Sequence, residues 1–360
     1  MVMTTQTPIR FSLLDGYDFP RLINGGWQLS TGHARQPFNQ ERVLRELEEL
    51  VRAGLTAFDC ADIYDGVEEL LGELRRRLGP TGLSIQIHTK FVPDRSALPT
   101  VNKRYVERII NRSLQRLGTE RLDLVQYHWW DFSVPGWIDT ALWLDDLRRA
   151  GKIVRIGMTN TDVAHLAEIL EAGVPIATNQ VQYSLLDRRP EHGLADFCRE
   201  QGIQLLCYGT LAGGFLSQRY LGVSQPQAPL PNRSLTKYGL IIEESGGWEA
   251  FQSLLTVLDR IAQSHRSTIA NVATRWVLDQ PAVAAAIIGT TGSRHLTSNL
   301  STFALQLDHQ DREKIKAALA GRPGPPGDAY SLERDWRGAH ARIMWTDLNE
   351  HGQPDGADGP

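Results

Sequence analysis

Cysteine is scarce in this 360-residue chain, long apolar runs are missing, and neither sign of charge dominates. The three cysteines, Cys60, Cys198 and Cys207, lack metal-ligand spacing. Cys60 and Cys207 stand inside apolar, strand-like runs, where inert core thiols are expected. No run reaches the roughly 18 apolar residues that a spanning helix needs. The opening MVMTTQTPIRFSLLDG has no apolar stretch of the secretory type. A soluble protein of a reducing cytoplasm, with no membrane partner, fits these absences. The net charge is −4 with no basic stripe, which argues against nucleic acid as a partner. No G-x-G-x-x-G follows an early strand, which weighs against a doubly wound dinucleotide-binding sheet.

What is present is a rhythm. Short apolar runs alternate with helical patterns. RLINGGW (21–27) precedes ERVLRELEELVRAG (41–54), and LTAFDC (55–60) precedes VEELLGELRRRLG (67–79). LSIQIHTK (83–90), LDLVQYHW (122–129), IVRIGMTN (153–160) and IATNQVQYS (176–184) are each followed by a helical segment. IQLLCYGT (203–210) runs into a Gly/Pro-rich loop before helical segments at 251–264 and 269–280, and VAAAIIGT (283–290) precedes the last unit. Runs apolar on both faces, too close to their helices for hairpins, imply parallel strands. Eight such units predict an α/β chain closed as a (β/α)8 TIM barrel over residues 1–320. Asp15-Gly16 between apolar residues predicts an N-terminal β-hairpin, placed to plug the barrel floor. Residues 321–360 read as a C-terminal extension that contains Tyr330, Trp336, Met344 and Trp345, whose aromatic part is expected to pack on the barrel surface and whose last ten residues are expected to be disordered.

In such barrels the chemistry sits at the C-terminal ends of the strands. Strand two ends at Asp59 with Tyr64 in the next loop, strand three at Lys90 and strand four at His128. Strand five ends at Thr159-Asn160, strand six presents Gln180 and strand seven ends at Tyr208. A phenol is a weak acid near neutral pH, and a nearby ammonium is expected to lower its pKa. An aspartate can hold that lysine, and a histidine can orient a carbonyl oxygen or share its proton. The set is a proton donor aimed at an oxygen that gains charge. A carbonyl protonated on oxygen must receive hydride on carbon, which implies a nicotinamide cofactor. Taken singly, Asp59 reads equally as a turn former, Tyr64 as a packing residue, Lys90 as a loop charge and His128 as a core histidine. Their conjunction on three consecutive strand ends carries the functional reading.

These segments, with FDCADIYDGVEELLGELRR, IHTKF, NQVQYSLLDR, CYGTLAGGFL and IIGTTGSRHLTSNL, resemble the aldo-keto reductase family over almost all of residues 20–305. The resemblance implies the barrel and a catalytic tetrad of Asp59, Tyr64, Lys90 and His128, with Tyr64 as general acid or base. It places the carboxamide of the cofactor at Asn160 and Gln180, with Thr159 beside them, and the nicotinamide ring on Tyr208. Gly209, Thr210, Leu211 and Gly213 would cover the pyrophosphate. Ile288, Gly289, Thr290, Thr291, His295 and Asn299 would surround the adenosine end, where amides at a helix start suit phosphate. Trp27 and Asp59 complete the cofactor's surroundings. Many relatives carry Lys or Arg facing a 2′-phosphate here, whereas this chain has Thr291 and His295 with Arg294 adjacent. Arg233 and Lys237 of the long loop are candidate substitutes, so NADP(H) is expected ahead of NAD(H). Trp27, Tyr64, His128, Trp129 and Trp130 would face a small carbonyl or alcohol substrate such as an aldehyde, ketone or sugar. Arg35 or Arg188 could enter from loops. Three alternatives follow from the same residues: a cofactor-binding regulatory protein resembling potassium-channel β-subunits, a Schiff-base aldolase using Lys90, or a metal hydrolase using His88 and His128. No heptads or large apolar faces point to an oligomeric state.

Overall fold

Alternation along each strand explains how the chain divides its apolar residues. On the strand Leu124–Tyr127, Leu124 and Gln126 enter the barrel while Val125 and Tyr127 pack under the helices. The computed structural model describes residues 7–13, 15–30 and 39–349. Its strands are β1 (Arg10–Ser12), β2 (Asp18–Pro20), β3 (Leu22–Gly25), β4 (Ala57–Asp59), β5 (Gln86–Phe91), β6 (Leu124–Tyr127), β7 (Ile156–Thr159), β8 (Ile176–Gln182), β9 (Gln204–Tyr208) and β10 (Val283–Gly289). Strands β3 to β10 pair in parallel, in chain order, and β10 closes on β3 as a barrel. Each strand predicted from the sequence is found, most of them shortened; β5 starts three residues later than its run and extends one residue past Lys90, to Phe91.

The helices bury one stripe each. Lys103–Leu117 turns Val106, Ile109, Ile110, Ser113 and Leu117 inward. Each of its isoleucines gains about 1.5–3 kcal/mol from full burial. The Asn102 side chain caps its first turn at Tyr105 N, and Gly118 ends it at φ +58, a conformation that favours glycine. The Gly/Pro-rich loop after β9 holds a helix that the pattern did not show, Arg233–Glu244, capped by Asn232.

Strands β1 and β2 form the expected antiparallel hairpin, with Phe11 opposite Phe19. Phe19 is fully buried and joins Leu13, Ile23, Ala57, Leu124, Leu206 and Ala285 in a cluster distinct from the main core. The hairpin therefore seals one end of the barrel and leaves the strand C-termini as the open end.

The tail packs on the loops at that open end. Arg95 N donates to Thr346 O at 2.9 Å, and Asp94 Oδ1 accepts Leu348 N and Asn349 N, each at 2.7 Å. The Arg95 guanidinium lies 3.6 Å from the Trp336 ring. No helix among the described residues is long and apolar enough to cross a membrane. The last residues, from 350 onward, lie outside the described set.

Candidate active site

Gly26 follows β3, and its amide donates to Asp59 O at 2.8 Å. A Cβ there would stand 2.9 Å from that oxygen, so the approach requires glycine. The approach sets the Trp27 ring 5.0 Å from the Tyr64 ring, edge-on. The chain then turns tightly after β4. Cys60 N donates to His88 O at 2.9 Å, Tyr64 N donates to Ala61 O at 3.0 Å, and Gly66 ends the turn at φ +76. This turn brings Tyr64 back over the barrel.

Lys90 Nζ is the centre of the cluster. It donates to Asp59 Oδ2 at 2.7 Å and to Cys60 O at 2.8 Å, and reaches Tyr64 OH at 3.4 Å. Both members of the ion pair are buried. Burial opposes the ammonium, but Asp59 and Tyr64 overcome it and hold the Lys90 pKa above lysine's ordinary value. Asp59 Oδ1 accepts from Gln126 at 3.2 Å and from Gln180 at 2.5 Å. Tyr64 departs from expectation: its pKa is raised, not lowered. Burial is the larger effect, and Lys90 offsets only part of it. At neutral pH the phenol therefore carries its proton, as a donor must.

His128 follows β6. Its Nδ1 lies 3.1 Å from Thr159 O, which can only accept, so Nδ1 carries the hydrogen. Its Nε2 is buried with no hydrogen-bond partner among the described residues. Burial, then the charges of Arg334 and Lys90, push its pKa down to about 3, so the ring is neutral. Trp130 meets it edge-on at 4.5 Å and Tyr330 at 5.4 Å.

The polar groups assigned to a cofactor form an arc over four adjacent strands. Thr159 Oγ1, at the end of β7, is buried with no hydrogen-bond partner among the described residues. Asn160 takes φ +57, and its Oδ1 accepts from Tyr208 OH at 2.9 Å across the top of β8. Gly209, at φ +73, bends the chain after β9 around Tyr238, and Gly213 packs on the same ring. Thr210 is buried, and Leu211 partly so. Beyond Gly289 at the end of β10, Thr290 is buried while Thr291 and His295 are exposed; Ile288 and Asn299 are partly buried. An unpartnered hydroxyl, an aromatic face and an exposed strand-end loop in a row fit an extended dinucleotide.

Other expected residues sit elsewhere. Trp129 is fully buried and donates its Nε1 to Val134 O at 3.1 Å, so it packs the loop core instead of facing the mouth. Arg233 lies on the Trp345 ring at 3.3 Å. Lys237 is drawn into the mouth, 3.5 Å from Glu333 and over the Tyr208 ring at 5.2 Å. Arg188 is tied to Arg322 O and Glu191. Arg35 lies outside the described residues.

The tail reaches the site, which hydropathy did not show. Glu333 is buried and pairs with Arg189 at 2.9 Å. Burial opposes its charge, but Lys237 and Arg189 hold its pKa down to about 2. Arg334 donates to the carbonyls of Trp130, Asn160 and Trp129 at 3.2, 2.8 and 2.9 Å. These two adjacent charges stand in a Gly/Pro-rich stretch, and their partners Arg189, Trp129, Trp130 and Asn160 lie 144 to 205 residues away in the chain.

A sealed parallel barrel thus presents a Lys–Asp pair, a tyrosine and a histidine together at its mouth, the setting of a carbonyl oxidoreductase in the family that follows. The aldo/keto reductase family model matches residues 21–320, and the chain belongs to that family. Its relatives include the probable aldo-keto reductase 1 of Glycine max, 28% identical over 312 residues, covering 84% of this chain and 86% of the relative. The NADH-specific methylglyoxal reductase of Escherichia coli is 24% identical over 315 residues, covering 81% and 92%. Among solved structures, a thermostable aldo-keto reductase in complex with the inhibitor epalrestat superposes with a TM-score of 0.67 at 25% identity, covering 86% of this chain and 99% of that one. The family uses nicotinamide cofactors. Among the described residues no group of three or more His, Cys, Asp or Glu side chains could hold a metal ion.

Proposed function

We propose that the protein interconverts a carbonyl (an aldehyde, ketone or sugar) and its alcohol, with Tyr64 as general acid in reduction and general base in oxidation. The observation that carries this reading is Lys90 Nζ, set between Asp59 at 2.7 Å and Tyr64 OH at 3.4 Å. Tyr64 delivers its proton to the substrate oxygen, and the adjacent ammonium stabilises the phenolate left behind. Asp59 keeps Lys90 charged and in place. Neutral His128, with its hydrogen committed to Thr159 O, offers Nε2 as an acceptor and so orients a substrate hydroxyl. Tyr64 is then the donor toward a carbonyl. When bound, the nicotinamide supplies hydride to the carbonyl carbon. Thr159, Asn160, Gln180 and Tyr208 would hold its ring end. The same geometry opposes imine chemistry at Lys90, since a nucleophilic amine must lose the proton that Asp59 retains.

NADP(H) leads on the strength of Arg294, next to His295 with Nη2 3.0 Å from its Nε2. One observation favours NAD(H) as a second reading: the Glu46 carboxylate packs against Gly292 in the adenosine-end loop, where it would repel a 2′-phosphate. The NADH-specific relative supports the same direction. A tryptophan fluorescence titration with NADPH and NADH tests both. Micromolar binding of either supports the nicotinamide site, and the tighter one names the cofactor. If neither quenches the protein, the proposed reaction fails.

A further inference from the structure

His128 and the carbonyl that fixes its tautomer stand on different loops. His128 follows β6, whereas Thr159 ends β7. The distance between them, 3.1 Å, depends on how those two loops are held together. One side chain spans both. Arg334 donates through Nε and Nη2 to the carbonyls of Trp130 and Trp129, directly after His128, and through Nη1 to the carbonyl of Asn160, directly after Thr159. Its planar fork suits three fixed acceptors in a way that a lysine cannot match. The guanidinium stacks on Phe132 at 4.5 Å, and Arg334 N donates to Tyr330 O at 3.2 Å. The neighbouring Glu333, buried with Arg189 and Lys237, anchors the segment from the other side. Arg334 lies beyond residue 320, where the family match ends.

We propose that Arg334, supplied by the C-terminal tail, is a positioning residue that clamps the β6 and β7 loops and so sets the orientation of His128. This rests on the reading of His128 as a substrate-orienting group. The charged groups facing His128 are Arg334 from the tail and Lys90 from β5, and the Tyr330 phenol meets its edge. Two consequences follow. Loss of the clamp frees the imidazole from Thr159 O, so turnover suffers more than substrate affinity. Loss of the nearby cation relaxes the restraint against protonation, so His128 titrates higher.

The test compares Arg334→Met and Arg334→Lys with the exposed control Arg337→Ala in the full chain. Imidazole titrations are followed by NMR with 15N-histidine, and kcat and KM are measured separately with 4-nitrobenzaldehyde and whichever of NADH or NADPH binds. In Arg334→Met, His128 is expected to titrate at least one pH unit higher. Its kcat should fall about 10- to 100-fold with KM changed less than about threefold, consistent with loss of transition-state positioning. Millimolar guanidinium should restore part of kcat. Arg334→Lys keeps the charge but cannot span the carbonyls, so His128 should still titrate low while kcat falls. An unshifted His128 with unchanged kcat in a folded Arg334→Met overturns the proposal. Should that variant not fold, wild-type kcat in Arg334→Lys overturns it equally. If wild type reduces no carbonyl probe with either cofactor while the His128 titration still moves with Arg334, the catalytic reading falls and the coupling stands.

Discussion

Two histidines are buried in the same barrel, each with its pKa pushed down to about 3, and they stand at opposite ends of it. His88 lies toward the sealed floor, with Nε2 3.1 Å from the Tyr17 hydroxyl of the hairpin and Phe19 edge-on at 5.3 Å. His128 lies at the mouth, with Nδ1 on Thr159 O and Nε2 bare among Tyr330 and Trp130. Burial is the first cause of both low pKa values; Lys90 adds to each, Arg155 to His88 and Arg334 to His128. Perturbed titration therefore does not by itself tell the two histidines apart. Depth along the barrel does, because the hairpin closes one end and the strand C-termini gather the Lys90 cluster at the other.

The strongest way to sharpen the contrast is to remove the proton at the mouth. Tyr64→Phe is expected to lower kcat about a thousandfold, roughly 4 kcal/mol of barrier. Cofactor affinity by tryptophan quenching should stay within about threefold, since the hydroxyl acts on the substrate oxygen. A comparable loss of cofactor binding would assign Tyr64 to the cofactor instead. Next comes the pair itself. His128→Gln should lower kcat/KM about a hundredfold and leave thermal unfolding nearly unchanged. His88→Leu should do the reverse, with kcat/KM within about threefold but stability reduced by about 1–3 kcal/mol, because the Tyr17 hydroxyl loses its partner. If both variants lose activity alike, the floor and the mouth are coupled and the distinction fails.

Much of the mouth was legible because it rests on period and position. A lysine ending SIQIHTK, an aspartate ending LTAFD and a histidine ending LVQYH fall on strand tops by counting alone. What was not legible depends on partners far along the chain. Trp129 and Trp130 are neighbours of one residue type, and the loop after β6 turns one onto Tyr127 and Val134 and the other against His128. Helix Arg233–Glu244 hides in a loop read from its prolines and glycines. The contacts of Glu333 and Arg334 are invisible in the sequence because Arg189 and the carbonyls that accept from Arg334 become neighbours only in the folded barrel. The Tyr64 pKa was misjudged because a sequence shows the lysine but not the burial that outweighs it.

The smallest effect concerns a carboxyl at the mouth that the histidine comparison leaves out. Asp62 sits in the turn between Asp59 and Tyr64, buried, with Oδ2 accepting from Val92 N at 3.2 Å and from Asn349 of the tail at 3.1 Å. Its Oδ1 has no hydrogen-bond partner among the described residues. Burial first, then Glu68, push its pKa up to about 7. The folded state thus holds a proton that the unfolded chain releases near pH 4, and stability must fall as pH rises from about 4 to 7. This is the opposite sign to a salt-bridged aspartate. Asp62→Asn keeps an oxygen for both donors and removes the buried charge. Urea unfolding should find the variant close to wild type at pH 4 and about 1–3 kcal/mol more stable at pH 8, with a shallower pH slope. The slope does not vanish, because Glu68 is raised by burial as well. Parallel curves at the two pH values would show that Asp62 is not the group that titrates. A variant less stable at both would show that the carboxylate, and not merely an acceptor, fastens Asn349 and the end of the tail to the catalytic turn.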